Sequence, residues 1–310
     1  MGKIRVTPRS LTKDGDPALE LLRQAGHEVL FCTPGKQPDE EELLRLVPGC
    51  LGWLAGVEKI TPRVLEAARG LKAISRNGTG VDSIDLAACE RRGVAVLRAE
   101  GANARGVAEL AFGLALSLLR SIPFSDARMK AGGWERRQGA ELEGKTLGVV
   151  GTGKIGKLVA RFGLAFDMAM IGADVYPDAA LAKTPGFRYA PVGELLAGAD
   201  VVTLHCPHEP GAKPIVDAAA LASMKKGAVL VNTARWGLVD PDAVLAALAS
   251  GKLAGYAVDA FETEPPAAHP LLAHERVVTT PHVGAYTAES VARATRVAVD
   301  NLLAALGKGA

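Results

Sequence analysis

Cysteine is scarce: there are four in 310 residues, Cys32, Cys50, Cys89 and Cys206, far apart and with no C-x-x-C pair. That spacing argues against a disulfide frame and a thiolate metal site. It reads as four small core residues of a reduced, cytoplasmic protein, with no metal expected. No basic stripe interleaved with aromatics is present, and the formal charge is only +2, so nucleic acid is not an expected partner. No apolar run is long enough to span a bilayer. The longest, VAELAFGLALSLL at 107–119, is interrupted by Glu109 and reads as a buried helix. The opening MGKIRVTPRS enters a strand pattern at once without the apolar stretch of a signal peptide, so neither secretion nor a membrane is expected.

What is present is the composition of a globular protein with a substantial core: 48% apolar and 23% charged residues. The first hundred residues alternate short apolar runs (IRVTP, HEVLF, CLGWLA, LKAIS, VAVLRA) with amphipathic helical segments. Such alternation argues for parallel β-α units, because parallel strands need a crossover. Gly26, Gly70 and Gly93 stand where left-handed helix caps are expected. A second series begins near residue 145 with KTLGVVG, then a helix at 154–165 and strand-like runs at MAMIGADV, ADVVTLHC, GAVLVNTA, LAGYAVDAF and ERVVTTPHV. Helical segments are expected around 217–223 and 240–250, and a long one at 287–306. Between the two series lie a helix at 104–119 and the loop-like FSDARMKAGGWERRQGAEL. The expected fold is therefore α/β with two open parallel-sheet domains.

GTGKIG at 151–156 fits G-x-G-x-x-G. In a chain with 35 glycines the pattern alone carries little; its context carries more. It follows the apolar strand TLGVV and precedes a helix, and a further strand ends at Asp174, 18 residues after Gly156. Gly151 would allow the tight turn, Gly153 the approach of a pyrophosphate, and Gly156 close packing of helix on strand. Asp174 would accept the adenosine ribose hydroxyls and repel a 2′-phosphate, and no arginine follows in VYPDAALAK, which favours NAD over NADP. The plainer alternative is a structural glycine turn with a surface aspartate.

Three polar residues stand near strand ends in the second half: Arg235 after VLVNTA, Glu264 after AVDAF, and His282 at the end of VVTTPH. Open parallel sheets bind ligands outside the carboxyl ends of their strands, so the three can converge on one site. Each taken alone reads equally as a salt-bridged arginine or a satisfied loop residue.

The segments RNGTGVDSID (76–85), GANARGVAEL (101–110), ELEGKTLGVVGTGKIG (141–156), NTARWGLVD (232–240), DAFETEPP (259–266) and TPHVGAYT (280–287) occur in one order over more than two hundred residues. In them the chain resembles the D-isomer-specific 2-hydroxyacid dehydrogenases, a family that includes D-3-phosphoglycerate dehydrogenase. The resemblance implies an NAD-dependent enzyme interconverting a D-2-hydroxy acid and a 2-keto acid. It implies a flavodoxin-like substrate domain from residues 1–99 plus 284–310 and a Rossmann NAD-binding domain at 100–283. Arg235 would grip the substrate carboxylate and polarise the keto oxygen, a bidentate task suited to guanidinium. His282 would move the proton at that oxygen, with Glu264 orienting the ring and favouring imidazolium. The N–H groups of Thr79 and Gly80 would hold the carboxylate, Asp259 the nicotinamide carboxamide, those of Lys154 and Ile155 the pyrophosphate, and Pro207 would pack on the adenine. Relatives dimerise through the cofactor domain, partly by the helix matching 104–119, so a homodimer closing by domain motion is implied.

The chain departs from the family at four places. Trp236 replaces the usual glycine after the arginine, and would either line the substrate pocket or fold outward onto a neighbouring loop. His208 stands where leucine is more frequent, and either lies at the surface or reaches the cofactor. Ala55, Gly56 and Val57 occupy the region where phosphoglycerate relatives carry an arginine, with Lys59 nearby as a partial substitute. The chain ends one helix past His282, so the regulatory extension of some relatives is not expected. Two further readings share the fold: an NAD(H)-sensing corepressor-like interaction protein, and a dehydrogenase for another small anion.

Overall fold

The computed structural model describes residues 2–209 and 211–307. They form two compact units: residues up to Asn103 together with those from Ala285 on, and Ala104–Gly284.

The first unit is built on five parallel strands, β1 (Lys3–Val6), β2 (Glu28–Phe31), β3 (Cys50–Ala55), β4 (Ala73–Arg76) and β5 (Ala95–Arg98), in the order β2-β1-β3-β4-β5. This is the flavodoxin-like doubly wound order. Strand β3 is apolar almost throughout because both of its faces are covered. Short helices between the strands are started by side chains that accept a first-turn N–H: Asp39 for Glu40–Leu46, Thr61 for Pro62–Ala67 and Asp85 for Leu86–Arg91. The long helix Ala288–Gly307 buries Ala294, Ala298, Val299, Leu302 and Leu306 among Ile4, Val6 and Leu54. Gly52 makes room for it, since a Cβ there would stand 2.8 Å from Ile4 and 3.1 Å from both Leu302 and Leu306.

The second unit has seven parallel strands: β6 (Thr146–Val150), β7 (Ala169–Ala173), β8 (Phe187–Tyr189), β9 (Val201–Leu204), β10 (Ala228–Asn232), β11 (Leu253–Val258) and β12 (Val277–Thr279). Their order is β12-β11-β10-β9-β6-β7-β8, the dinucleotide-binding pattern with one added edge strand. Helices Ala104–Leu119 and Lys154–Ala165 cover one face; Val192–Gly198, Ala218–Ser223 and Pro241–Ala249 cover the other. The order reverses between β6 and β9, so a crevice opens at their carboxyl ends.

Local structure differs from the sequence reading in several places, helix Val192–Gly198 among them. The stretch at 124–142, expected as loop, begins inside a helix, Ile122–Lys130. That helix buries no residue, so it carries no apolar stripe to betray it; Pro123 in its first turn and an exposed Lys130–Asp126 ion pair are its local supports. Strand β8 is only three residues and was not anticipated. Gly26 and Gly93 take positive φ after their helices, whereas the turn at Gly70 does not. Cys32, Cys50 and Cys89 are buried and Cys206 half-buried, all as free thiols.

Candidate active site

The glycine loop occupies the crevice at the sheet's order reversal. Gly151, directly after β6, has φ +88° and approaches the chain leaving β9 so closely that a Cβ would stand 2.6 Å from the Cys206 nitrogen. Only glycine fits both constraints. Gly156 lies in the first turn of helix Lys154–Ala165, where a Cβ would come within 2.0 Å of the Gly151 carbonyl oxygen. Gly153 is different: a Cβ there would meet nothing within 4 Å, and Gly153 caps the helix without any side-chain hydrogen bond. The loop thus leaves open space at the amino end of a twelve-residue helix that begins with Lys154 and Ile155, the end of a helix that favours an anion.

Asp174 sits one residue past β7, beside this loop. Its carboxylate accepts from Thr152 N–H at 2.6 Å, Thr152 Oγ1 at 3.1 Å and Tyr176 N–H at 2.9 Å. Burial opposes its ionisation, but the bonds from Tyr176, Thr152 and Val175 outweigh burial and hold the carboxyl below its ordinary range. Val175 and Tyr176 beyond it are exposed. Open space at a phosphate-sized position, an uncapped helix end and an oriented carboxylate at the next strand end fit a bound dinucleotide. Pro207 lies exposed on the loop after β9.

Arg235, Glu264 and His282 follow β10, β11 and β12, three neighbouring strands whose outer two are about 10 Å apart at usual sheet spacing. His282 Nδ1 lies 2.6 Å from Glu264 Oε1. With Nδ1 donating to that carboxylate, Nε2 is the nitrogen left for proton transfer. Both side chains are partly exposed. His282 holds φ +52°, unusual for a residue with a Cβ. Arg235 is extended, and its Nη1 donates to the Ala234 carbonyl at 2.8 Å.

Two buried residues hold these side chains in place. Asp259, 1% exposed, accepts from Thr280 Oγ1 at 2.6 Å, Val283 N–H at 2.9 Å and Gly284 N–H at 2.9 Å, so its carboxylate grips the chain on either side of His282. That is a brace the sequence reading did not give it. Asn232, fully buried, donates from Nδ2 to the Arg235 carbonyl at 2.8 Å and accepts from Ala234 N–H at 3.1 Å. Neither Asn232 nor Thr280 was singled out from sequence. The available signal was a polar residue at or just past the end of a strand, two or three positions before a candidate side chain.

Trp236 packs on a neighbouring loop. Its ring lies against Phe261, with centroids 5.7 Å apart, and edge-on to His269 at 6.3 Å. His208 is half-buried, its Nε2 donating to the Ala212 carbonyl oxygen at 3.2 Å, with its imidazole over Gly237. In the first unit, Thr79 is exposed after β4 and its hydroxyl donates to Asn103. Gly80 follows it in the same turn, and neither N–H has a backbone acceptor among the described residues. Lys59 is exposed, while Glu58 before it is buried and accepts from Thr7 Oγ1 and from Gly56 N–H at 3.0 Å. Among the described residues no group of three His, Cys, Asp or Glu could hold a metal.

Sheet order, glycine loop and acid together define a Rossmann dinucleotide-binding unit with a histidine–carboxylate pair and an arginine at its strand ends. Residues 112–284 match the model of the D-isomer specific 2-hydroxyacid dehydrogenase NAD binding domain. The chain belongs to the D-isomer specific 2-hydroxyacid dehydrogenase family. It is 42% identical over 290 residues to D-3-phosphoglycerate dehydrogenase of Methanocaldococcus jannaschii, covering 93% of this chain and 55% of that one. It is 37% identical to hydroxypyruvate reductase of Thermotoga maritima, covering 87% of this chain and 89% of that one. Among solved structures, the TT0316 protein of Thermus thermophilus superposes with a TM-score of 0.88 at 36% identity, covering 99% of this chain and 97% of that one. The chain spans about half the length of the D-3-phosphoglycerate dehydrogenases it matches.

Proposed function

We propose that this chain is an NAD-dependent oxidoreductase interconverting a small D-2-hydroxy acid and its 2-keto acid. The observation that carries the reading is the His282–Glu264 pair beside a glycine loop shaped for a dinucleotide. NAD, when bound, exchanges a hydride with the C2 carbon of the substrate. Arg235 holds the carboxylate and draws charge onto the keto oxygen. His282 Nε2 gives that oxygen its proton in reduction and takes it back in oxidation, while Glu264 keeps the ring oriented. Gly153 and the N–H groups of Lys154 and Ile155 receive the pyrophosphate, on the turn that Gly151 allows and the close packing that Gly156 allows; Asp174 takes the ribose hydroxyls and Pro207 the adenine. Asp259 commits three of about four acceptor positions to its own chain, leaving one for a carboxamide N–H. Thr79 and Gly80 offer N–H groups to the substrate carboxylate.

The hydroxypyruvate reductase of similar length supports a small unphosphorylated substrate, as does the run Ala55, Gly56, Val57, which offers no cation to a phosphate. A panel of 2-keto acids with NADH, and with NADPH as control, tests the reading. Oxidation of NADH by none of them, with NADH bound tightly, would favour an NAD-sensing protein instead.

We also propose a homodimer formed through the second unit. Helix Ala104–Leu119 packs most of its apolar residues into its own core, so the exposed Ile122, Met129 and Trp134 are the better support for a contact with a second copy. Four free cysteines, each with its thiol pushed up chiefly by burial, support a reducing, cytoplasmic setting.

A further inference from the structure

We infer that Trp236 is a positioning residue that clamps the loop carrying Arg235 to the loop carrying Glu264; the inference rests on the proposed reaction. The starting point is the sheet. Strands β10 and β11 are parallel neighbours, so the chain leaving one runs beside the chain leaving the other. Arg235 and Trp236 follow β10, while Phe261, Glu264 and His269 follow β11. Among the described residues, backbone ties between the two exits are confined to their first residues: Asp259 N–H donates to the Asn232 carbonyl at 3.1 Å, and Asn232 itself turns back onto Arg235. Farther out, ring contacts take over.

The Trp236 indole lies on Phe261 at 35° between planes and meets the edge of His269 at 76°, so two sides of it touch one loop. Both geometries are favourable for aromatic pairs. His269 is itself fixed: Nδ1 accepts from Leu271 N–H at 3.1 Å, and Nε2 stands 3.5 Å from Asp242 Oδ1. The His208 ring covers Gly237, the residue after Trp236. The Phe261 N–H points at Glu264 Oε1 from 3.4 Å, the same oxygen that receives His282 Nδ1. The indole is therefore one residue from the arginine and, through Phe261, one contact from the carboxylate that orients the histidine. Its consequence is a fixed separation between the carboxylate clamp and the acid–base pair, which a transition state requires within a fraction of an ångström.

The clamp is tested with Trp236→Ala, Phe261→Leu, their double variant and Trp236→Phe. With the 2-keto acid that the wild type reduces best, each single loss lowers kcat by about three- to tenfold. The double variant is no worse than either, because both remove one contact. Trp236→Phe restores most of the rate. Full additivity, or single variants with wild-type kcat, would overturn the clamp. A second readout needs no turnover: the imidazole nitrogen resonances of His282, assigned with His282→Ala, shift in Trp236→Ala and return in Trp236→Phe. Unmoved resonances count against the clamp even if every keto acid fails. Failure of the panel with moved resonances counts against the proposed reaction alone.

Discussion

His282 and Glu264 are joined through Nδ1 and Oε1 at 2.6 Å, on loops that leave two neighbouring strands. They stand eighteen positions apart in the chain, yet Asp259 fixes both ends of the histidine's turn. The pairing commits the imidazole to one orientation and leaves Nε2 for chemistry. His282→Ala is expected to lower kcat by about a hundred- to ten-thousandfold, the usual worth of a positioned acid–base group. NADH titration should still show binding, since the glycine loop lies elsewhere on the sheet. A variant reducing 2-keto acids at the wild-type rate would remove His282 from the mechanism.

The glycine loop separates two demands that one motif joins. Gly153→Ala places a methyl in open space, whereas Gly156→Ala drives one to 2.0 Å from a backbone oxygen. The first variant should keep the wild-type melting temperature while its Kd for NADH rises at least about tenfold, because only the dinucleotide approaches there. The second should lose about 1–3 kcal/mol or more of stability as well. Calorimetry with and without NADH reads both quantities. Equal destabilisation by the two substitutions would mean that the loop is merely a structural turn.

These two glycines were legible in sequence because their roles follow from local spacing between a strand and a helix. Arg235, Glu264 and His282 were singled out for a related reason: each stands near the end of an apolar run, and parallel sheets gather such ends. What was not legible depends on partners distant in sequence. Nothing near Trp236 says that Phe261, 25 residues on, will receive its ring. Asp259 read as a ligand group, but its grip on Thr280, Val283 and Gly284 exists only once β11 and β12 are paired. Helix Ile122–Lys130 escaped because apolar periodicity reports burial, and that helix buries nothing. The helix Ala104–Leu119 was expected both to be buried and to meet a second copy; its packing into the core accounts for the first, since apolar residues read alike for either use.

Asp174 should set the choice of cofactor. Its carboxylate is held ionised by the Thr152 and Tyr176 bonds and stands at the second strand end, where a ribose is recognised. Replacing it by Asn removes the charge while keeping an acceptor for Thr152. The ratio of kcat/KM for NADH to that for NADPH should fall by about tenfold or more, mainly through improved use of NADPH. The check is the same keto acid assayed with both cofactors across Asp174→Asn and wild type. An unchanged ratio would move the discrimination to another part of the site.

A pH dependence of stability follows from His205, directly after β9 and behind Gly151. Its Nε2 pairs with Thr203 Oγ1 at 2.7 Å, while Nδ1 is enclosed without a partner. Burial drives the imidazole from 6.5 down to about 3. The folded protein therefore keeps the ring neutral where the unfolded chain would protonate it. Between about pH 6.5 and pH 3 the unfolded state binds the extra proton, so stability falls as the pH falls, by up to about 1.4 kcal/mol per unit from this group. Above that window the contribution is constant. His205→Gln cannot take up the proton. The stability difference between wild type and variant should hence be flat above about pH 7 and shift against the wild type at about pH 6 and pH 5. Urea unfolding at each pH measures it. Parallel curves down to about pH 5 would show that the ring gains solvent or a partner when it is charged.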